Sequence, residues 1–196
     1  MASSVQTCTE IPPSQCKPLQ LCPGCTILVK LTVPCQKYLL WCWAAVAVAI
    51  DHFYRQDSDL TQCQVASMQN GAGDCCQKPC GKDCNRRLDL ENVLCTVNCL
   101  DQGPVPVPAT FSFSNLKALM QPPDPKPVCA RIQYKGRGGH FVVIKGFQDA
   151  SESLLIADPE GEETLVPFNV FKGTPFSFAC WTHYYLTDKV NHGNCA

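Results

Sequence analysis

One cysteine of this chain lies where a nucleophile is expected, at the start of a strongly predicted helix. Nucleophilic catalysis by cysteine needs a thiolate, a nearby imidazole and a third group that orients the imidazole. Cys42 follows an irregular, proline-containing segment and precedes the apolar run WAAVAVAI. A helix start favours a negative sulfur, because its N–H groups are unpaired and its dipole is positive there. The other cysteines fall in predicted loops or on polar-flanked segments, so position alone distinguishes Cys42.

The segment behind Cys42 predicts a helix buried in the core. Residues 41–55 contain strong helix formers and no breaker, and they are apolar on nearly every face. Asp59 and Gln62 resemble a capping box, which predicts a second helix that Gly71 ends.

Two further helices are predicted on either side of a proline-rich segment. They cover residues 88–100, where apolar residues have helical spacing, and residues 115–121. Proline removes a backbone donor and favours extended backbone, so we interpret residues 103–110 (GPVPVPAT) as an extended connection. This connection is the best candidate for a seam between two lobes.

The last third of the chain has a different pattern, with short β-rich runs separated by turn residues. Such a pattern is typical of an antiparallel sheet or half-barrel. Helices first and strands second predict an α+β fold. The predicted strands cover residues 128–134, 140–147, 154–157, 163–168 and 178–186. The strand aromatics expected in the core are Phe141, Phe147, Phe178 and Trp181.

Length and charge limit the classes of protein that this chain can represent. With 196 residues, 45% of them hydrophobic, it suits one domain with one core. Its formal charge is -1 and it has no basic stripe, so a nucleic-acid partner is not expected. The longest apolar stretch, residues 39–50, is far shorter than a membrane span, so no membrane partner is expected either.

Sixteen cysteines approach the composition of a disulfide scaffold. Disulfides persist outside a reducing cytosol, whereas zinc sites need repeated C-x2-C pairs, and only Cys22 and Cys25 have that spacing. We therefore favour disulfides over metal for the cysteine-packed loop 72–87. If Cys42 is free, fifteen cysteines remain and at least one more must be unpaired. Residues 1–20 contain no apolar run of signal-peptide length, so we expect export by another route or a leader already removed.

Three separated stretches, in the right order, resemble papain-like cysteine proteases. Gln36, five intervening residues and then Cys-Trp-Ala at 42–44 resemble the papain active-site stretch. Residues 139–147 (GHFVVIKGF) resemble the strand that carries the catalytic histidine. Residues 155–159 (LIADP) resemble the next strand of bacterial papain-like groups, in which an aspartate replaces the asparagine of plant enzymes.

The closer resemblance is to the bacterial effector-type branch of these proteases. Its WCWAA, TQC and DCC motifs occur here at residues 41–45, 61–63 and 74–76. The resemblance spans about residues 36–186. No counterpart of the Asn-Ser-Trp segment of plant papains is present, so substrate preference cannot be transferred.

The resemblance implies roles for four residues. Cys42 attacks the substrate carbonyl carbon, and His140 takes its proton and later protonates the leaving amine. Asp158 holds the imidazole in position. Gln36, with the Cys42 N–H, stabilises the oxyanion. The implied reaction is hydrolysis of a peptide or amide bond in a protein or peptide substrate, through a thioester and without a cofactor or metal.

The resemblance also implies an architecture, an α+β papain-like fold with a cleft between two lobes. We expect an extended Cys- and Pro-rich arm over residues 1–34 and a catalytic domain over residues 35–196. Within that domain, a helical lobe around the buried helix covers 35–103, and an antiparallel sheet lobe covers 104–196.

Three alternatives remain open from the sequence. A deamidase or acyltransferase could use the same Cys-His-Asp geometry, a disulfide-rich binding module could lack turnover, and a structural protein could be held together by metal. An effector-like protease is expected to be secreted, or delivered to a host or competitor cell, but this rests on family analogy. The oligomeric state is not predicted.

Overall fold

A computed structural model of the chain describes residues 10, 22, 24–69, 71, 73–120, 123–136, 138–161, 163–174, 178–189 and 195. Within these residues the chain forms five α-helices, one 3₁₀ turn and seven β-strands. The helices are α1 (Cys42–Tyr54), α2 (Gln62–Ser67), α3 (Leu90–Thr96), α4 (Phe113–Leu119) and α5 (Phe168–Lys172), and the 3₁₀ turn is Asp149–Ser151. The strands are β1 (Ile27–Leu28), β2 (Leu100–Pro106), β3 (Val128–Tyr134), β4 (Gly138–Gln148), β5 (Ser153–Ala157), β6 (Thr164–Pro167) and β7 (Ala179–Thr187).

Helix α1 is the centre of the helical part of the molecule. Every residue from Cys42 to Asp51 is buried, because the helix packs against α2 and α3 on one side and against strand β4 on the other. A helix without a polar face has no stable surface position. The prediction of a buried helix over residues 41–55 is therefore confirmed.

The N-cap of helix α2 lies two residues later in the chain than predicted. Thr61, not Asp59, is the N-cap, and its capping-box partner is Gln64 rather than Gln62. Both side chains of this pair satisfy backbone groups of the first turn, which is what a capping box requires. The helix ends at Ser67, and Gly71 lies beyond it in a turn with a φ of 75°.

Helices α3 and α4 fall inside their predicted segments or close to them. In α3 the buried side chains are those of Leu90, Val93 and Leu94, which have the helical spacing seen in the sequence. Helix α4 begins earlier than predicted, because Ser112 and Asn115 form a capping box at its start.

The strands form one antiparallel sheet in the order β2-β7-β3-β4-β5-β6. Strand β1 pairs with the C-terminal end of β4, beyond the part of β4 that pairs with β3. Strands β3, β4 and β5 lie inside the sheet and are largely buried. The predicted α+β arrangement, with helices before a mainly antiparallel sheet, is confirmed.

The C-terminal half differs from the prediction in three places. Most of the proline-rich segment 103–110 is extended as expected, but residues up to Pro106 belong to edge strand β2. Phe168 begins helix α5 instead of ending a strand. Phe178 is 65% exposed, so its prediction as a core residue is wrong, whereas Phe141 and Trp181 are buried.

Disulfides cross-link the helical part of the molecule, as predicted for the cysteine-packed loop. The described pairs are Cys22–Cys25, Cys63–Cys76, Cys75–Cys84 and Cys95–Cys195, and Cys35 and Cys80 are also disulfide-bonded. The free cysteines of the described chain are Cys42, Cys99, Cys129 and Cys180. Cys22 and Cys25, the one pair with zinc-finger spacing, bind each other.

The N-terminal arm and the boundary between the two lobes remain predictions. Most of the arm predicted over residues 1–34 lies outside the described residues, and the boundary between lobes at residues 103 and 104 is a prediction. Across the described segments, none of the helices has both the length and the apolar content to span a bilayer.

Candidate active site

The loop 73–87 holds the start of α1, where Cys42 is the first helical residue. The indole Nε1 of Trp41 donates to the Cys84 carbonyl and that of Trp43 donates to the Arg86 carbonyl, each at 3.0 Å. The N-cap residue Trp41 makes no side-chain capping bond, so the first N–H groups of the helix are not consumed by a side-chain cap. The sulfur of Cys42 therefore lies at a positively polarised helix end.

Disulfides close the loop that anchors the two tryptophans. The neighbours Cys75 and Cys76 bind Cys84 and Cys63 respectively, so the loop is tied both to itself and to helix α2. Asp74 accepts hydrogen bonds from the backbone N–H of Cys76 and Gln77. The DCC motif thus stabilises the loop that holds the start of α1.

His140 reaches Cys42 from strand β4. Its Nε2 lies 2.7 Å from Asp158 Oδ1, and its ring also hydrogen-bonds to Cys42. Burial lowers the pKa of His140, but the hydrogen bonds to Asp158 and Cys42 and their negative charge outweigh burial and raise it to about 10. At neutral pH this imidazole is therefore protonated, and it places a positive charge between the sulfur and the carboxylate.

The sheet register explains why Asp158 lies beside His140. Strands β4 and β5 run antiparallel with Val143 opposite Ala157, so the residue that follows β5 comes level with the start of β4. Asp158 Oδ1 also accepts the backbone N–H of Glu160 at 2.8 Å. This bond fixes the carboxylate within its own turn, independently of the imidazole.

Gln36 is fully buried. Its backbone N–H donates to the Pro159 carbonyl at 2.9 Å. Its side-chain Nε2 donates to the Leu39 carbonyl at 3.0 Å and to Glu160 Oε1 at 3.1 Å. The predicted oxyanion donor is therefore close to the turn that carries Asp158.

Gln62 fixes the backbone on both sides of Gln36. Its Nε2 donates to the Cys35 carbonyl at 2.6 Å, and its Oε1 accepts the Lys37 N–H at 2.9 Å. Gln62 is the middle residue of the TQC motif, so this motif positions the loop that carries Gln36. The sequence pointed to Gln62 through that motif and through a capping box that it does not form, and only its contacts show its role in the loop.

A cleft of about 900 Å³ opens over Cys42 and His140. Leu39 and Phe178 contribute exposed apolar surface, and the ring centroid of Tyr134 lies 6.3 Å from that of His140. Burial, then Asp158, Glu160 and Cys42, raise the pKa of Tyr134, so its phenol keeps its proton. Near the reacting groups the cleft thus combines apolar side chains with a few polar ones, as substrate sites do.

Two glycines before His140 make room for guanidinium groups that line the cleft. A Cβ on Gly139 would come within 2.9 Å of the Arg131 guanidinium, and one on Gly138, whose φ is 96°, would come within 3.1 Å of Arg87. Arginine side chains of the protein itself thus lie where a side chain at either glycine would be. A larger residue at 139 would displace Arg131 from the cleft wall.

These contacts thus link the four predicted residues, which come from separate parts of the chain. Residues 27–174 match the family model described as papain-like cysteine protease AvrRpt2. The chain belongs to this family. No curated protein matches the chain. The matched range includes every residue of the constellation and extends to helix α5.

Membership of the AvrRpt2 family of papain-like cysteine proteases makes the chain a hydrolase that acts on protein substrates. The predicted resemblance to the bacterial effector-type branch and the papain-like fold are both confirmed. Membership of this family favours an enzyme over a disulfide-rich binding module and over a structural protein held together by metal. Among the described residues no group of three or more His, Cys, Asp or Glu side chains is arranged to hold a metal ion.

Sequence reasoning missed one residue of the papain-like site. Glu160 follows the predicted Asp158-Pro159 pair by one position, lines the cleft, and contacts Gln36. An exposed glutamate in a turn carries no motif, so only the folded arrangement identifies it.

Proposed function

We propose that this AvrRpt2-like protein cleaves peptide bonds through a thioester on Cys42, with His140 as acid and base, Asp158 as its orienting group and Gln36 as an oxyanion donor. The observation that carries the proposal is the continuous contact from Cys42 to His140 and from His140 Nε2 to Asp158. Nucleophile, base and orienting group in this order are what covalent catalysis by cysteine requires.

The first half of the reaction makes the acyl-enzyme. Asp158 occupies Nε2 of the imidazole, which leaves Nδ1 to face Cys42. The thiolate attacks the carbonyl carbon, and the C=O electron pair moves onto oxygen. The Cys42 N–H and the Gln36 side chain stabilise that oxyanion. His140 gives its proton to the amine as the C–N bond breaks.

The second half releases the acid product. The neutral imidazole takes a proton from water, and the hydroxide attacks the thioester carbonyl. The oxyanion then collapses with cleavage of the C–S bond, and the sulfur leaves as a thiolate beside the re-formed imidazolium. The high pKa of His140 favours the protonated imidazole after this step.

The substrate of this reaction is a protein segment in an extended conformation that enters the cleft. The disulfides support secretion, and the resemblance to effector-type proteases supports delivery into a host or competitor cell, and we include both in the proposal. Fluorescently tagged expression followed by fractionation of target cells would test delivery separately from catalysis.

Covalent capture tests the mechanism directly. An epoxysuccinate inhibitor should modify the wild-type protein once, and peptide mapping should place the label on Cys42. Cys42→Ala should lower turnover of a protein substrate by about 10⁴-fold or more, because the nucleophile is absent. Its thermal unfolding midpoint should stay close to that of the wild type.

Cys180→Ala is the matched control, since Cys180 is also a free cysteine but lies outside the lining of the cleft. It should retain both labelling and turnover. Label on another cysteine, or turnover retained by Cys42→Ala, would contradict the proposal. Mass spectrometry of the products separates reactions: peptidase action creates new chain termini, whereas deamidation adds about one dalton to an intact chain.

A further inference from the structure

Both N–H groups of the Gln36 side chain are already engaged in the free protein. Nε2 donates to the Leu39 carbonyl and to Glu160 Oε1. The remaining amide atom, Gln36 Oε1, is buried and makes no hydrogen bond with any described part of the chain. An oxyanion donor needs a free N–H, so one of these two acceptors must leave before Gln36 can act.

Glu160 is the acceptor that can leave. Leu39 accepts through its backbone carbonyl, three residues from Gln36, and cannot withdraw without moving the loop. The Glu160 side chain is 47% exposed, and its own backbone is held by the bond from its N–H to Asp158 Oδ1. Rotation about side-chain bonds therefore suffices to move the carboxylate into water.

The Glu160 carboxylate also lies close to the atoms of the reaction. Its Oε1 is 3.1 Å from Gln36 Nε2 and 4.0 Å from His140 Nδ1, the imidazole nitrogen that Asp158 does not occupy. A negatively charged oxygen at this point resembles the tetrahedral intermediate in charge and in hydrogen bonding.

We propose that Glu160 occupies the oxyanion site of the free enzyme and that the substrate carbonyl displaces it. This inference rests on the proposed function. The carboxylate keeps the buried Gln36 amide hydrogen-bonded and oriented while the cleft is empty. The substrate must then break a charge-assisted bond, and a carboxylate that stayed would repel the developing oxyanion. Glu160 thus weakens the binding of any ligand that places an oxygen in this site.

A peptide aldehyde measures this competition without a leaving group. The Cys42 thiolate forms a C–S bond with the aldehyde carbon, the C=O electron pair moves to oxygen, and His140 supplies the proton of the resulting hemithioacetal. In Glu160→Ala the inhibition constant should fall by about tenfold or more, which matches the net value of one hydrogen bond to a charged group. Glu160→Gln keeps a hydrogen-bond acceptor but loses the charge. Its inhibition constant should therefore lie between those of the wild type and Glu160→Ala.

Two controls isolate the oxyanion site. Alkylation of Cys42 by iodoacetamide creates no oxyanion, so its rate at fixed pH should change by less than about twofold in either variant. Asp57→Ala removes an exposed carboxylate outside the lining of the cleft and should leave the aldehyde inhibition constant unchanged.

The outcomes separate this inference from the proposed function. If Glu160 only positioned Gln36, its removal would weaken aldehyde binding, and that result, or an unchanged constant, would overturn the inference while the wild type remained inhibited. If the aldehyde failed to inhibit the wild type and iodoacetamide failed to label Cys42, the proposed function would fall and this inference with it.

Discussion

The backbone N–H of Gln36 donates a hydrogen bond to the carbonyl oxygen of Pro159 at 2.9 Å. Pro159 lies between Asp158, which holds the imidazole, and Glu160, which contacts the Gln36 side chain. One turn after strand β5 therefore positions both the proposed base, His140, and the proposed oxyanion donor, Gln36. Changes in this turn should alter both halves of the mechanism.

The charge of Asp158 should set the alkaline limit of activity. In the wild type the acid form of His140 persists until pH rises to about 10, so kcat/KM should decline near that value. Asp158→Asn keeps a hydrogen-bond acceptor but loses the charge, so the decline should move toward the ordinary histidine value of 6.5. Asp158→Ala loses both and should lower kcat/KM at pH 7 by about 10²-fold. A pH–rate profile of all three proteins measures this, and an unmoved alkaline limb in Asp158→Asn would contradict the assignment.

The same carboxylate should make stability depend on pH in a defined direction. The pKa of His140 is higher in the folded protein than the ordinary value of 6.5, so the folded state binds the proton more tightly. This contribution is fully present below pH 6.5 and is lost as pH rises through about 10. Urea unfolding should show that the free energy of unfolding of the wild type exceeds that of Asp158→Ala by more at pH 6 than at pH 9.5. A difference that grew with pH would contradict this prediction.

Gln36→Ala should reduce kcat far more than it changes KM. An oxyanion donor acts mainly in the transition state, and removal of one such donor typically costs about 10²–10³-fold in kcat. Steady-state kinetics on a peptide substrate measures the two constants separately. Gln62→Leu is the informative companion, because it removes the bonds that hold Cys35 and Lys37 without removing the Gln36 side chain. It should lower the unfolding midpoint and reduce kcat less than Gln36→Ala does, and the reverse order would argue against Gln36 as the donor.

The Cys95–Cys195 disulfide should support stability without supporting catalysis. It joins residues 100 positions apart, so its loss frees a long segment of the unfolded chain. Cys95→Ser with Cys195→Ser should lower the free energy of unfolding by about 2–5 kcal/mol while turnover at 25 °C stays near the wild-type value. Denaturant titration and a turnover assay measure the two effects, with Cys180→Ser as the control for loss of a free cysteine.

Long apolar and β-rich runs were predictable from the sequence, whereas short polar contacts were not. Strand β3 has the bounds that its pattern predicted, because its β-rich run is bounded by Pro127 before it and by Gly136 shortly after it. The cap of α2 was misplaced since Asp59 and Thr61 are both good capping residues, and the choice between them depends on Gln64. Phe178 has the composition of a core residue, yet it lies at the rim of the cleft.

The site shows the same division. Cys42, His140, Asp158 and Gln36 were predicted from motifs, and the structure places them together. Glu160 was not predicted, because its position depends on how the turn after β5 packs against the Gln36 loop, a contact between residues far apart in sequence. Such long-range polar contacts leave no periodic signal in the chain.

The tryptophans beside Cys42 bind carbonyl groups of a loop that exists in this shape because Cys75 is joined to Cys84. As the proposed nucleophile, Cys42 must carry a reduced sulfur, whereas Cys75 and Cys84 must remain oxidised as a disulfide. The enzyme can therefore work only between two reduction potentials, one that keeps Cys42 from being capped and one that keeps the loop from opening. In a strongly reducing compartment the activity should therefore last only for a limited time. Reduction of disulfides such as Cys75–Cys84 would gradually release the loop that holds the start of helix α1.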